Sequence, residues 1–539
     1  MSSAAAARPT LSAWGETFPL VDPGAKLAIP TCIALILGVA IFIRAIGGIK
    51  TSKIPLLNPP KGFDLTNWDA RKNFGRRSGE LMQEGLTKYK GQMFKVMTES
   101  GEITIVPSAL ANDIRNEPNL NFMKAIAEDF HSHLPGFEAF AGGTRSDALI
   151  QTMARKQLTK SLMYMLTVFV DKVTEPLSEE TNFATELHFG KSPEWKAFAI
   201  YPEILDIVAR ISSRVFLGPA VCRNQDWLDI TKSYTLEAFS AATSLREYPN
   251  WLRNLVHWFH PGCTALRVKG AKAKDIITPV IEERRKARAE SAARGEPPTF
   301  YNDAIEWLEE ESKGVSYDAA VTQLSLSMAA IHTTSDLLTE TLLRLARRPA
   351  LIEELRKEIT EVLQAEGWKK TSLYNMKLLD SVIKESQRLR PISMVSMIRK
   401  AVGDVKLPNG NIIPRGTRTA VLMDKQRDSG IYANADEFDP YRFQKQRGTE
   451  TDNAAHLVST GPASLGFGHG QHACPGRFFA ANEIKVALCH LIVKYDWKVA
   501  DDATPEPEPL RYSFSLQVDP SAELYVRRRP TAVLDIDSI

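Results

Sequence analysis

Cysteine is scarce in this chain: there are 5 in 539 residues, odd in number and widely scattered. That argues against a disulfide framework and for a reducing compartment. Charge of one sign is also lacking. The formal net charge is +3, so nothing in it implies a nucleic-acid partner. No internal repeat and no long low-complexity tract is present. With 44% hydrophobic and 24% charged residues, the composition is that of an ordinary globular protein. Cys32, Cys222, Cys263 and Cys489 have no ligand-like neighbours and read as small buried or surface thiols. Cys474 is different, and most of the chemistry is read from it.

One long apolar run is present. LAIPTCIALILGVAIFI, Leu27 to Ile43, carries no charge. Its length sits at the lower edge of the ~17–25 residues that span a bilayer as a helix. The rival reading is a buried core helix. A cleaved signal peptide has a shorter apolar core, closer to the N-terminus than this one. Arg44, Lys50 and Lys53 follow it, against Arg8 and Lys26 before, which favours a cytoplasmic C-terminal body. Pro55, Pro59 and Pro60 then make a stiff connector. The expected organisation is an N-terminal segment at 1–26, a transmembrane anchor helix at 27–43, a connector at 44–61 and one large domain at 62–539.

The body reads as mainly α with small β-sheets. GEITIVP, Gly101 to Pro107, suits a strand. From about Asn112 to Arg390 long amphipathic runs are broken by proline or glycine. Beyond Ser396, turn signals at Pro408-Asn409-Gly410 and Pro414-Arg415-Gly416 separate short β-prone runs. The segment LRYSFSLQVDPSAELYVRRR has the same texture. Arg284, Arg285, Lys286 and Arg288 read as a solvated helix face.

Three helical constellations stand out. The first runs from Ser316, a candidate cap, to Arg348, with Pro349 as its stop. No Asp, Glu, Lys or Arg occurs from Val321 to Ser335, so its centre should be buried. Thr333 there is either a satisfied core threonine bonded to a carbonyl one turn back, or, with His332, part of a local widening that faces a ligand. The second is Lys384 to Pro391, where Glu385 and Arg388 share a helix side. The third is Glu437 to Phe443, where Arg442 stands between aromatics and could share the Glu385 carboxylate.

The fourth motif is FGHGQHACPGRFF, Phe467 to Phe479. Cys474 is a buried thiol, a zinc ligand or a thiolate kept for chemistry. Zinc needs four ligands in spacings that this loop does not offer. Pro475 suits a first helical turn, and Ile484, Leu488, Leu491, Ile492 and Tyr495 mark an amphipathic helix behind it. A helix N-terminus there would favour a thiolate. Gly466, Gly468, Gly470 and Gly476 would let the backbone turn tightly and approach something flat.

In this form, Phe467-x-x-Gly470-x-His472-x-Cys474-x-Gly476 resembles the haem-binding signature of the cytochrome P-450 family. The three helical constellations occur in that family's order, from about residue 60 to the end. The resemblance implies a cytochrome P-450 fold and haem b, with Cys474 as axial ligand of the iron. It implies haem contacts from Phe467, Gly470 and Gly476. Propionate contacts would come from His472, Arg399 and Arg155, although Gln151 replaces the tryptophan that the family pairs with that arginine. Glu385, Arg388 and Arg442 would form a structural triad. Thr333 matches the alcohol that helps to deliver protons to dioxygen. His332 stands where the family has an acid: it either relays protons or leaves that to water and shapes the pocket. His469 has no assigned role, and Arg477 could serve a docking surface or the haem.

The wording of AAIHTTSDLL, DFHSHLPGFE and RISSRVFLG resembles fungal microsomal members close to ent-kaurene oxidases. That implies a monooxygenase acting on a terpenoid or a prenylated indole of indole-diterpene type, in a secondary-metabolite pathway. A fatty-acid hydroxylase, a haem-thiolate peroxide isomerase or dehydratase, and a non-enzymatic haem sensor are the other readings. No flavin or dinucleotide segment is apparent, so electrons from NADPH would arrive through a separate cytochrome P-450 reductase, with cytochrome b5 as a possible second donor. The protein is expected in the endoplasmic reticulum membrane, single-pass, with its catalytic domain on the cytosolic face. By family position the pocket would include Phe137, Phe140, Ala330, Ile331, Met394, Val395 and Leu516.

Overall fold

The computed structural model describes residues 54–60, 67–145, 147–160, 174–297, 299–501, 503, 505–530 and 534–539, besides Gly38. The expected anchor and most of the connector lie outside the described residues. Among the described residues no helix is long and apolar enough to cross a membrane. The chain divides into two units, Met1–Pro55 and Leu56–Ile539, and every helix and strand from Trp68 onward belongs to the second.

The body opens with α1 (Trp68–Tyr89), whose stripe Phe74, Ser78, Leu81, Met82 and Gly85 is buried. Gly85 is required there, because an added Cβ would lie 2.4 Å from the Phe94 ring. Phe94 begins β1 (Phe94–Thr98), which pairs antiparallel with β2 (Gly101–Val106), the expected GEITIVP strand. The chain continues through β3 (Leu120–Asn121), α2 (Phe122–Asp129) and α3 (Leu149–Met153), the last followed by a π-helical stretch, Ala154–Lys160.

A helical mass follows: α4 (Thr174–Phe189), strand β4 (Lys196–Ala199), α5 (Ile200–Leu217), α6 (Gln225–Leu245), α7 (Pro261–Ala293), α8 (Ala304–Ser312), α9 (Ala319–Leu345), α10 (Pro349–Glu366) and α11 (Lys377–Leu389). Here the run Arg284 to Arg288 departs in part from expectation. Lys286 and Arg285 are solvated as expected, 78% and 58% exposed, but Arg284 is buried against α8. Arg284 gives both terminal nitrogens to Asp303 at 2.7 and 2.6 Å, and both side chains are buried. Arg285 pairs with Glu309 and Arg288 with Glu306. A basic run looks the same whether water or an acidic helix lies opposite.

The long helix α9 is 27 residues, shorter than expected at both ends. Asp318, not Ser316, caps it, accepting from the Val321 N–H. Pro349 begins α10 at its first turn, where its missing N–H costs nothing. At ~1.5 Å per residue α9 is a rod of about 40 Å through the body.

The last third supplies the small sheets. β5 (Val395–Ala401), the β6 (Val405–Lys406) and β7 (Ile412–Ile413) hairpin, and β8 (Arg418–Leu422) follow α11. The largest sheet has the order β1-β2-β8-β5-β3. Then comes α12 (Arg477–Lys494), buried on almost every side and so not the amphipathic helix expected. Gly476 is its N-cap residue, so Pro475 precedes the helix, and Tyr495 opens β9 (Tyr495–Lys498). After the β10 (Leu510–Tyr512) and β11 (Ser515–Gln517) hairpin, β12 (Glu523–Arg528) joins β4 and β9 in a second sheet. The tail folds back: Ile536 is buried, its carbonyl accepts from Trp368 Nε1, and Asp537 meets Lys494 Nζ at 2.5 Å.

Candidate active site

The cysteine loop is shaped by its own backbone. The Cys474 N–H donates to Phe467 O at 2.8 Å, and the Ala473 N–H to Gly470 O at 2.9 Å. Gly468 and Gly470 have φ of 69° and 77°, where side chains are strained. Gly470 also has no room, since an added Cβ would lie 2.4 Å from Arg115 O. Gly476 has neither constraint: its φ is −91° and a Cβ would meet nothing. His469, without a role in the sequence, ties the loop down. Its Nε2 donates to Asn112 Oδ1 at 2.9 Å, and its Nδ1 accepts from the Thr460 hydroxyl at 3.1 Å. Arg477 donates to Cys474 O and Val458 O, so it braces the loop.

Burial pushes the Cys474 thiol up, against the pull of the Gly476 and Arg477 amides and the Arg477 guanidinium. Gly476 is the N-cap residue of α12 and Arg477 its first residue, so the helix terminus pulls toward the thiolate as expected, but burial outweighs it. A metal cation bound at the sulfur would favour the thiolate further, because a coordinating thiol is deprotonated outright.

Two arginines and a histidine gather near the loop. Arg399, on β5, is buried; one terminal nitrogen donates to Ile398 O and the other, Nη2, has no hydrogen-bond partner among the described residues. Burial holds its guanidinium down at about 10. His472 is held down to about 4 by burial and by the charges of Arg399 and Arg155. Arg155, exposed on the π-helical stretch, reaches Gln471 O at 3.1 Å. Gln151 turns to Gly143 O and does not join them. A buried guanidinium with an orphaned nitrogen, beside a second guanidinium, an imidazole that can donate a hydrogen bond and a half-buried thiol, fits a flat group that carries carboxylates and a thiolate-seeking iron.

Across the body, α9 opens. Ser325, Ala329 and Thr333 recur at four-residue spacing on one face, and Ala329 and Thr333 are exposed in mid-helix. Thr333 Oγ1 donates to Ala329 O at 2.9 Å, and Ser325 Oγ to Ala139 O at 2.6 Å. Ala330 is half-buried beside them. Ile331 is not in the groove as expected: it is fully buried, clustered with Ala209 of α5 and Leu228 of α6. His332 lies toward the same two helices, bonded to Tyr201 and Lys232.

Other expected pocket residues also move. Phe137 and Phe140 are buried core, Phe140 stacked on Phe130 with ring centroids 4.0 Å apart. Val395 packs into the core beneath α1, with Phe74 and Ile105. Met394 and Leu516 are half-buried neighbours, held by Met394 N–H to Phe514 O and Leu516 N–H to Ile392 O. The sequence reading missed Leu236 and Phe239 on α6, both about half exposed. Phe239 stands edge-on to Phe130, 4.6 Å between centroids, beside the turn that Ser325 holds. Their signal was present: two apolar residues three apart, off the buried stripe of α6.

The triad residues come together. Glu385 takes two bonds from Arg388, at 2.7 and 2.8 Å, and one from Arg442 at 3.0 Å, with all three buried. Spare nitrogens of the arginines hold the carbonyls of Gln426, Ala433 and Ala435. Glu483 on α12 was not foreseen. It is fully buried, accepts from Ser212 at 2.6 Å with Thr334 beside it, and burial pushes its carboxyl up to about 8.

The cytochrome P-450 family model matches residues 151–522. The chain is 42% identical over 513 residues to the cytochrome P-450 monooxygenase adrA of Penicillium rubens, covering 94% of this chain and 98% of that one. It is 43% identical over 504 residues to the cytochrome P-450 monooxygenase hepE of Aspergillus oryzae, covering 93% and 89%. Among solved structures, the retinoic acid-bound cyanobacterial CYP120A1 has the same fold: TM-score 0.60 at 17% identity, over 84% of this chain and 95% of that one.

Proposed function

The chain belongs to the cytochrome P-450 family and is a haem-thiolate monooxygenase; on that premise we propose that it oxygenates C–H bonds of an apolar secondary metabolite, a terpenoid or a prenylated indole of indole-diterpene type, in a fungal biosynthetic pathway. Cys474 would hold haem, which when bound would supply the activation of dioxygen. Arg399, Arg155 and His472 would hold its carboxylates. Thr333 Oγ1, exposed in the groove, can accept a proton from water and pass on its own. Ala329, Leu236 and Phe239 present apolar surface that excludes water from the reacting face.

The observation that carries the substrate reading is the stripe of α9. It opens into the groove at Ala329 and Thr333, in a stretch without any charged residue from Val321 to Ser335. A fatty acid brings a carboxylate that needs a cationic partner, and this wall has none to offer. The electrons are proposed to come from NADPH through a cytochrome P-450 reductase, with cytochrome b5 as a second possible donor. The location proposed is the endoplasmic reticulum membrane, single-pass, with the catalytic domain on the cytosolic face. A patch on the described body supports a lipid neighbour: Trp251, Trp258 and Phe259 are 76%, 53% and 80% exposed.

The test is co-expression with a reductase in a host fed terpenoids, prenylated indoles and fatty acids under labelled dioxygen, with products read by mass spectrometry. One labelled oxygen in a terpenoid or prenylated indole is the expected result. Oxidation of fatty acids alone refutes the substrate class. Product without reductase or dioxygen refutes the electron route.

A further inference from the structure

His332 adjoins Thr333 in sequence, yet its ring is engaged elsewhere. Nε2 lies 2.9 Å from the Lys232 carbonyl and Nδ1 3.3 Å from the Tyr201 hydroxyl. A carbonyl only accepts, so Nε2 carries the hydrogen and Nδ1 takes the one from Tyr201. Lys232 is on α6 and Tyr201 on α5, so the two ring nitrogens bind two different helices. A relay to Thr333 needs a ring nitrogen free on the groove side, and neither is free.

We propose that His332 is a positioning residue: it ties α6 to α9 and thereby sets the width of the groove between Thr333 and the apolar wall made by Leu236 and Phe239. Lys232 is held twice, at its carbonyl by His332 and at Nζ by Asp206 of α5, 2.5 Å away. Asp206 is itself fixed by Arg210 and His188, each at 2.8 Å. Leu236 follows Lys232 by one helical turn and Phe239 by two, so a shift at Lys232 carries both. The second half of α6 is bonded to the 129–141 segment. Tyr234 donates to Gly136 O, His131 bonds Ala242 O, and Arg246 donates to Asp129 O. Trp227 Nε1 donates to Ser213 Oγ and fastens the start of α6 to α5; the Lys232 cluster fastens its middle to both α5 and α9, with Ile331 packed beside it between Ala209 and Leu228.

The experiment uses the full haem-loaded chain and three variants: His332→Ala, His332→Gln and Tyr201→Phe. The probes are imidazole, small enough to pass a narrow groove, and clotrimazole, which is not. Binding of each is followed by stopped-flow absorbance. Amide hydrogen exchange of residues 225–245 is read in parallel and needs no substrate, so it is independent of the substrate class proposed above. His332→Ala is expected to raise clotrimazole association and α6 exchange about tenfold, the scale of one or two lost hydrogen bonds, and to leave imidazole unchanged. Tyr201→Phe, the milder change, should move both readouts in the same direction by less, and it carries the test if His332→Ala fails to fold. His332→Gln keeps a donor and an acceptor but cannot titrate near neutrality, so it should restore parental values. Unchanged clotrimazole and exchange rates in His332→Ala and Tyr201→Phe overturn the proposal. So does equal acceleration of both azoles, which would mean general loosening.

Discussion

Glu483 is a carboxylic acid kept in a place that disfavours its charge. Its folded pKa of about 8 lies above the reference 4.5, so between those values the folded state keeps a proton that the unfolded state releases. Stability therefore falls as pH rises from about 4.5 to about 8, then levels off. Glu483→Gln keeps an acceptor for Ser212 and has no proton to lose. Unfolding free energies from denaturant curves should match the parent near pH 4.5 and exceed it by roughly 3–5 kcal/mol above pH 8. A flat difference across that range would mean that the carboxyl ionises freely. Arg399 poses the converse case, a charge whose orphaned nitrogen waits for a partner. Arg399→Leu should leave the haem-free protein as stable as the parent or more so. It should also speed haem transfer to a scavenger globin by about ten- to a hundredfold, the worth of a hydrogen bond to a charged group. Haem loss at the parental rate would remove Arg399 from the cradle.

Elements here are joined by buried charges that each need their partner. Lys494, 2% exposed at the end of α12, is matched by Asp537 of the tail and by Asn182 of α4. Cutting the chain before Leu534 removes the counter-charge and the Ile536 plug together. The cost expected in thermal or chemical unfolding is roughly 3–5 kcal/mol, with part recovered by Lys494→Met in the shortened chain. No recovery would assign the loss to Ile536 packing alone. The triad works in the same way between α11 and the 426–442 segment. Its residue types and the short Glu385–Arg388 spacing were readable in the sequence, whereas Arg442 is 57 residues away from Glu385 and its pairing depends on how the chain folds. Arg284 was misread for the same reason, since Asp303, its acidic partner, lies outside its own helix.

On the scale of the whole molecule, the exposed rings at Trp251, Trp258 and Phe259 predict lipid contact without the N-terminal run. A chain beginning at Leu56 should still float with phosphatidylcholine vesicles. Changing all three rings to serine should weaken that binding at least tenfold, since each buried ring is worth roughly 1.5–3 kcal/mol. Equal flotation of both proteins would assign membrane affinity elsewhere. The cysteine loop and the fold class were legible because their signals are local: glycines at fixed offsets, helical periods, turn dipeptides. The groove was less so. Phe137, Phe140, Ile331 and Val395 are apolar and correctly spaced, but apolar character does not distinguish a core from a cavity wall, and only packing separates them from Leu236 and Phe239. His332 was placed by its neighbour in sequence, whereas its ring is placed by α5 and α6.

Gly470 pressed against the Arg115 carbonyl, and His469 bonded to Asn112 and Thr460, leave this side of the cysteine loop little freedom to vary. A side chain added at Gly470 would have to displace the backbone at Arg115, whereas one added at Gly476 would meet nothing.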